Sequence, residues 1–398
     1  MDVIISIGIS ALALLLAVVR LQSFRFVRPF MVFFALGAGQ IHLALVALGV
    51  FLVSDLNLRG DGPRRDRVFI MVCMVFLAIV LATMLSDAGW RVLSELLQLA
   101  VYVGMFFLLR AAVYQPGQMD RLMAASAAGA VAVALLGLLL AAAGMTEAPA
   151  IFLARGANEA STFLVIMGVV PSVFLFIQTR KPRYLVFIGI LFIAQIEATS
   201  RINILLSISS ICVMLFFLWR SLWWRLGLVA AAVSGLVVNF ALLEDVWERN
   251  RNYSYEERFA LYEGGIALWE QRPWFGWGWG SSSEIVPRIL LTDQGFPHFH
   301  STYIQFLVEL GVLGIFLTAL WFIGSLKMIH RGFARQLPVE CKAYLVAVHA
   351  ALIGSGFTEA MLFGADRAVQ VAFVYAVSLY ISDLRPMSVA ASDQEQAY

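Results

Sequence analysis

The stretch His300 to Gly314, HSTYIQFLVELGVLG, places an ionisable pair, His300 and Glu309, at the mouth of an apolar helix. A membrane helix carries such groups at a cost unless they face protein or water, so both are candidate functional residues. A neutral imidazole can take a proton near neutral pH, which makes His300 a candidate base, although a histidine that only caps the helix is the simpler alternative.

Helical geometry predicts how the neighbours of His300 are placed. If the helix is already formed at His298, residues two apart point to different faces, and only one of the two histidines faces a cavity. Glu309 is nearly half a turn out of phase with His300, so it should bond to another helix instead. Gly311 and Gly314 share the His300 face, where small residues let a neighbouring helix approach closely.

A second ordered block lies upstream, in the sequence SYEERFALYEGG followed by PWFGWGWG. Ser254 to Glu257 has the form of a capping box, which predicts a helix from 255 to about Trp269. Pro273 and the glycines after it should end that helix. On it, Arg258, Tyr262 and Gly265 fall on one face.

Composition indicates an all-α polytopic membrane protein. The chain is 61% hydrophobic and 14% charged, whereas soluble domains have about 25% charged residues. Apolar runs long enough to cross a bilayer, about 20 residues, predict about twelve transmembrane helices, near 3–19, 29–53, 68–85, 93–113, 122–144, 161–178, 184–196, 203–219, 226–243, 303–325, 343–361 and 368–384. The net charge of +2 is small and argues against nucleic-acid binding.

We expect one integral membrane domain over 1–398, with a long extracytoplasmic loop at 244–302 and a disordered cytoplasmic tail at 386–398. The excess of Lys and Arg in the alternate short loops places both termini in the cytoplasm. The loop with Arg20, Arg25 and Arg28 disagrees, so the orientation of the first two helices stays open.

The long loop is rich in tryptophan, with five of the chain's ten, including Trp274, Trp277 and Trp279. An aromatic belt at the membrane interface explains this enrichment. A sugar platform explains it equally well, because flat aromatic faces with polar edges suit a half-wet surface.

Taken together, these blocks resemble the O-antigen ligase and polymerase superfamily. The resemblance rests on His-Ser followed by Glu at plus nine and Gly at plus eleven and plus fourteen, and on the Arg and Pro-x-x-Gly-x-Gly block before it. It spans about 201–314. It implies a GT-C-like membrane glycosyltransferase that moves a glycan from undecaprenyl diphosphate onto an acceptor hydroxyl, with inversion, at the outer face of the bacterial cytoplasmic (inner) membrane, with the active site facing the periplasm.

The resemblance also assigns roles to residues. His300 becomes the catalytic base, and Arg201 and Arg258 bind the leaving diphosphate, for which the planar guanidinium fork is suited. Arg155 is a weaker third choice, and Glu309, Tyr262 and His298 have supporting roles. The alternatives are that Arg201 snorkels to the interface and that Arg258 pairs with a loop acid.

No cofactor and no metal is expected, since the chain lacks an Asp-x-Asp pair. The rival is a zinc held by Asp293, His298 and His300, whose spacing is unspecific. The expected partners are the lipid-linked glycan donor, a glycan or lipid A-core acceptor, and membrane lipids.

Several functions remain open. A polymerase that extends a lipid-linked repeat is the weak preference over a ligase that joins the glycan to lipid A-core. A transporter or flippase for lipid-linked oligosaccharides would fit the number of helices, but the polar features gather in the second half instead of in two repeats. A structural partner in an envelope assembly would explain only the hydropathy.

Overall fold

The computed structural model describes residues 67–86, 93–114, 117–144, 157–198, 200–219, 221–230, 255–290, 298–361 and 365–384. The predicted spans 3–19 and 29–53, most of 226–243, and the tail 386–398 lie outside the described residues. So do Arg155, Asp293 and the side chain of Arg201.

The described residues are almost all helical and contain no strand. The helices are α1 (Arg67–Leu85), α2 (Leu93–Val113), α3 (Gln118–Ala142), α4 (Ala157–Phe163), α5 (Val170–Thr179), α6 (Arg183–Glu197), α7 (Arg201–Leu218), α8 (Tyr255–Gln271), α9 (Ser282–Leu290), α10 (Thr302–Leu310), α11 (Val312–Ala334), α12 (Val339–Gly356) and α13 (Ala365–Asp383). A π-helical segment, Leu164–Val169, joins α4 to α5.

Three helical stretches are long and apolar enough to cross a membrane, namely Gln118–Ala142, Asn158–Thr179 and Val312–Ala334. Shorter apolar helices occupy Val72–Leu85, Gln98–Val113 and Ile202–Leu218. The predicted all-helical class is therefore confirmed for the described residues, and three of their helices are candidate membrane spans. The total of about twelve spans stays a prediction.

The core lies where α5, α12 and α13 meet, with Phe174, Tyr344 and Phe373 fully buried. The rings of Phe174 and Tyr344 lie 5.0 Å apart. The π-helical segment is buried throughout, and Ser126 of α3 donates to the Met167 carbonyl at 2.6 Å. A π segment often lies near a functional site, and this one follows directly on α4.

The bundle has two chemically different ends. At one end, called the basic end, Tyr114 and Arg335 both contact Asp383, and Asp120 lies beside Lys181 and Arg183. At the other, called the site end, the start of α4 meets the starts of α7 and α13. The helices run between these two ends.

The predicted single span 303–325 is wrong, because the chain breaks at Gly311 into α10 and α11. Gly311 has φ 61° and ψ −134°, which only glycine adopts readily. A Cβ there would lie 2.5 Å from the Pro273 carbonyl oxygen. Gly314 packs against the Phe306 carbonyl of α10. The two glycines therefore permit the break between α10 and α11 and the close contacts at the turn. The expectation that they let a neighbouring membrane helix approach is wrong.

Candidate active site

The two histidines lie in a short non-helical segment just before α10, which begins at Thr302. Ser301 caps the helix by accepting from the Ile304 N–H. His300 has a left-handed φ of 51°. Since no helix has formed there, the premise that His298 and His300 must face different ways is wrong. Their rings make an edge contact, with centroids 4.3 Å apart.

His298 supports His300 through the backbone. Its Nδ1 accepts the His300 N–H at 3.1 Å, so in the neutral ring the proton lies on Nε2. That Nε2 is 3.5 Å from Oε1 of Glu159. His298 is thus fixed in one tautomer between a backbone amide and a carboxylate.

Arg367 forms the centre of a buried ion cluster. Its guanidinium lies 3.2 Å from Glu159 and 3.3 Å from Glu359, and all three side chains are largely or fully buried. The cluster joins α4, α13 and the segment between α12 and α13.

Thr302 brings that segment to the histidines. Its N–H and its hydroxyl both donate to the Glu359 carbonyl oxygen, at 3.1 and 2.7 Å. The Met361 N–H in turn donates to the Thr302 hydroxyl at 2.8 Å. As a result, ligand-type atoms of His298, His300 and Glu359 all lie within 4.8 Å of one another.

Helix α8 supplies Arg258 and Tyr262 to the same place. The predicted helix is confirmed, and it runs from Tyr255 to Gln271. The Tyr262 hydroxyl donates to the Phe357 carbonyl at 3.0 Å and lies 3.4 Å from the His300 carbonyl. Gly265 faces Phe299 and Ile304. The face predicted to carry these residues therefore packs on the histidine segment.

Burial and charge together keep His300 neutral. Burial is the main cause that lowers the pKa of His300, to about 3, and the nearby His298, Arg258 and Arg367 lower it further. Glu159 acts in the opposite direction. Burial likewise lowers the pKa of His298. A neutral imidazole near two guanidinium groups can accept a proton more readily once an anion binds beside them, because the anion favours the protonated ring.

Arg201 is the first residue of α7 and therefore lies at the site end. A buried network fixes this helix start against α4: the Ser200 hydroxyl donates to Asn158 Oδ1 at 2.8 Å. Asn203 Nδ2 donates to Ser200 Oγ at 2.9 Å and to the Asn158 carbonyl at 3.1 Å. The structure thus places the backbone of Arg201 beside the helix that carries Glu159.

Glu309 is fully buried and lies apart from the histidines, as expected. Its carboxylate accepts from the N–H groups of Gly280 and Ser282, at 2.8 and 3.1 Å, and from Gln305. It therefore binds the N-terminus of α9, a favourable place for an anion. Its role is to hold the Gly-rich turn against α10, where Gly278 N–H also donates to the Glu309 carbonyl at 2.8 Å.

The three tryptophans of the proposed sugar platform differ in exposure. Trp274 is 70% exposed. Trp277 is half-buried, with Arg272 stacked on its ring at 4.1 Å. Trp279 is packed in the core against Phe306. The sugar platform stays a prediction, and Trp274 is the most exposed of its three rings.

Sequence reasoning did not single out Glu159, Glu359 or Arg367. Glu359 lies within the predicted span 343–361, and Glu159 and Arg367 lie next to predicted spans, where an ionisable residue is a site candidate by default. What identifies them as one cluster is their meeting in space, since they come from segments about 200 residues apart in the chain.

The comparison with curated proteins gives no match. Residues 185–319 match a family model described as O-Antigen ligase. The match covers Arg201, Arg258, His300 and Glu309, and ends before Glu359 and Arg367. Over these residues the match supports the resemblance to the O-antigen ligase and polymerase superfamily that the His and Gly-rich blocks carry.

Proposed function

We propose that this protein is a metal-independent, inverting glycosyltransferase that uses a glycan on undecaprenyl diphosphate as its donor. The observation that carries the proposal is a neutral, partly buried His300 within the field of Arg258, at the end of the bundle where α7 begins with Arg201. The family match supports the class of reaction.

The reaction needs one proton acceptor and one anion site. His300 takes the proton of the acceptor hydroxyl while the acceptor oxygen bonds to the anomeric carbon from the side opposite the diphosphate. The bond between that carbon and the diphosphate oxygen breaks, and its electron pair leaves with the lipid diphosphate. Arg258 and Arg201 stabilise the charge on the leaving group, which is worth most in a site sheltered from water.

Donor binding would prepare the base. An unoccupied His300 with a pKa of about 3 is a weak base, because efficient general bases have a pKa near the working pH. A bound diphosphate would offset the fields of Arg258 and Arg367 and so raise the pKa of His300. Proton transfer would then follow donor binding.

The charge asymmetry supports an extracytoplasmic site. Basic residues near the basic end include Arg110, Arg121, Arg180, Lys181, Arg183, Lys327, Arg331, Arg335 and Lys342. The site end has fewer among the described residues. Cytoplasmic loops carry the excess of Lys and Arg, so the histidines would face the periplasm.

The acceptor decides between polymerase and ligase, and the weak preference is polymerase. The test is to incubate purified protein in proteoliposomes with one defined undecaprenyl diphosphate glycan and no other acceptor. Chains longer than the starting glycan identify a polymerase. Transfer only when lipid A-core is added identifies a ligase, and no transfer to either acceptor contradicts the proposal.

One geometric observation favours a rival, a metal mechanism. His298, His300 and Glu359 are grouped closely enough to hold an ion. Against it, His298 Nδ1 already accepts the His300 amide, and the nearby Arg258 and Arg367 repel a cation. The proposal therefore remains metal-independent.

A further inference from the structure

A long apolar groove lies between α1, α2, α11 and α13. Its volume is about 530 Å³. The residues of α11 that line it extend from Leu317 to Arg331, a length of about 21 Å at 1.5 Å per residue. Trp279 and Phe306 line it toward α10. This is the size and length of a site for an extended hydrocarbon chain.

Among the described residues, two of the three polar side chains in the middle of the groove are hydrogen-bonded within the protein, and the third, Trp321, has a buried Nε1 without a partner. The Tyr102 hydroxyl donates to Gln98 at 2.9 Å. The Tyr375 hydroxyl bonds Ser325 at 3.0 Å and lies 3.3 Å from the Trp321 carbonyl. Because water would find few partners there, a hydrocarbon chain is the favoured content.

Two cations stand at the basic end of the groove. Lys327 and Arg331 are one turn apart on α11, and both line the groove. Like charges at this spacing repel. Among the described residues neither has an acidic partner within ion-pair distance. An anion bound at this end of the apolar groove would therefore relieve the repulsion between the two cations.

We infer that this groove binds an anionic phospholipid, with the headgroup phosphate at Lys327 and Arg331 and an acyl chain along α11. The two cations at one end of the groove match an anionic headgroup, and the apolar side chains along the rest of it match an acyl chain. Basic pockets between membrane helices take anionic headgroups in this manner. The site is separate from the histidine cluster and does not depend on the proposed transfer reaction.

The test equilibrates the purified full-length protein with mixed micelles of equimolar phosphatidylglycerol and phosphatidylethanolamine, followed by repurification and lipid mass spectrometry. We expect the wild type to retain phosphatidylglycerol in preference. Lys327→Gln with Arg331→Gln should reduce that preference roughly fivefold or more. Arg180→Gln with Lys181→Gln is the matched control, because it removes two charges at the same end without touching the groove.

A second variant tests the apolar part. Gly324 lines the groove, and a Cβ there would meet only the Tyr375 ring, at 3.9 Å. Gly324→Leu should therefore fold, as gel filtration and thermal unfolding can verify, and should reduce the retention of both phospholipids by filling the groove.

Three results would overturn the inference. One is a wild type that retains no phosphatidylglycerol preference. Another is a Lys327/Arg331 variant that behaves like the Arg180/Lys181 control, which would mean that the cations only follow the charge bias of the membrane. The third is undecaprenyl phosphate displacing phosphatidylglycerol with an affinity unaffected by the Lys327/Arg331 change, which would assign the groove to a polyprenyl chain.

Discussion

His300 is held in a backbone conformation that costs a residue with a side chain about 1–2 kcal/mol. Surrounding contacts must hold it there, and such strain concentrates at functional positions. The His298 ring accepts its amide and Ser301 begins α10 directly after it. A histidine that merely caps a helix would need neither arrangement.

His300→Ala is expected to abolish transfer, by a factor on the order of 10²–10⁴, because the general base is lost while the backbone contact to His298 remains. His298→Ala should be milder, since it removes a positioning group. Transfer in proteoliposomes measures both, and His330→Ala, exposed near the basic end, is the control. Full activity of His300→Ala would defeat the assignment, and the opposite ranking would exchange the roles of the two histidines.

Arg201→Lys and Arg258→Lys should both be clearly impaired, because lysine keeps the charge but loses the bidentate fork. Each Arg→Ala change should cost on the order of 1.5–3 kcal/mol, roughly ten- to hundredfold in rate or donor affinity. A binding assay with the lipid diphosphate distinguishes arginines that bind the donor from arginines that only extend to the membrane interface. Wild-type affinity in both lysine variants, matching an Arg180→Lys control, would mean that these arginines do not bind the donor.

Activity should survive excess EDTA, because two arginines and an activated donor leave no step that needs an ion. The measurement is transfer with and without the chelator. Loss of activity that manganese, magnesium or zinc restores would instead assign the ion to the group of His298, His300 and Glu359. Glu359→Gln should then weaken the restoration.

At the scale of elements, Arg367 ties α13 to α4 and to the segment that carries Glu359. Arg367→Met would leave two buried carboxylates facing each other, and removing one partner of a buried pair typically costs 3–5 kcal/mol. We expect a large fall in the unfolding temperature in detergent. The double variant Glu359→Gln with Arg367→Met should recover much of it. An unchanged unfolding temperature with lost donor affinity would make Arg367 a phosphate ligand instead.

Local rules predicted some elements well. The capping-box pattern predicted a helix start at 255, and the backbone limits of proline and glycine predicted its end before Pro273; the helix runs from Tyr255 to Gln271. The break at Gly311 was missed because the run from 303 to 325 is continuously apolar, and hydropathy does not record a backbone angle. The turn contact from Val312 N–H to the Pro273 carbonyl, 2.8 Å, is what fixes that break.

The site was only half predictable for the same reason. His300 and Arg258 stand in ordered local motifs, so their spacing was enough to mark them as candidates. Glu159 and Arg367 come together only through the packing of α4 on α13, and no short-range pattern connects positions so far apart in the chain. The pairing of the two histidines likewise depended on where the helix starts.

For the whole molecule, the separation of charge between the two ends predicts its orientation. Trp274 is 70% exposed at the Gly-rich turn held against α10, and Arg180 is exposed at the basic end. In a background with Cys73, Cys212 and Cys341 replaced by alanine, Trp274→Cys should react with a membrane-impermeant maleimide in intact cells. Arg180→Cys should react only after permeabilisation.

The alanine background must retain transfer activity, so that labelling reports the native arrangement. Cys73 is exposed and could itself react with the maleimide. The cysteine-free background must therefore show no labelling before the two variants are compared. The proposed donor would carry its own activation and need no nucleotide, which suits a compartment outside the cytoplasm. Labelling of Arg180→Cys in intact cells, with Trp274→Cys protected, would turn the site toward the cytoplasm and remove the reason for a lipid diphosphate donor.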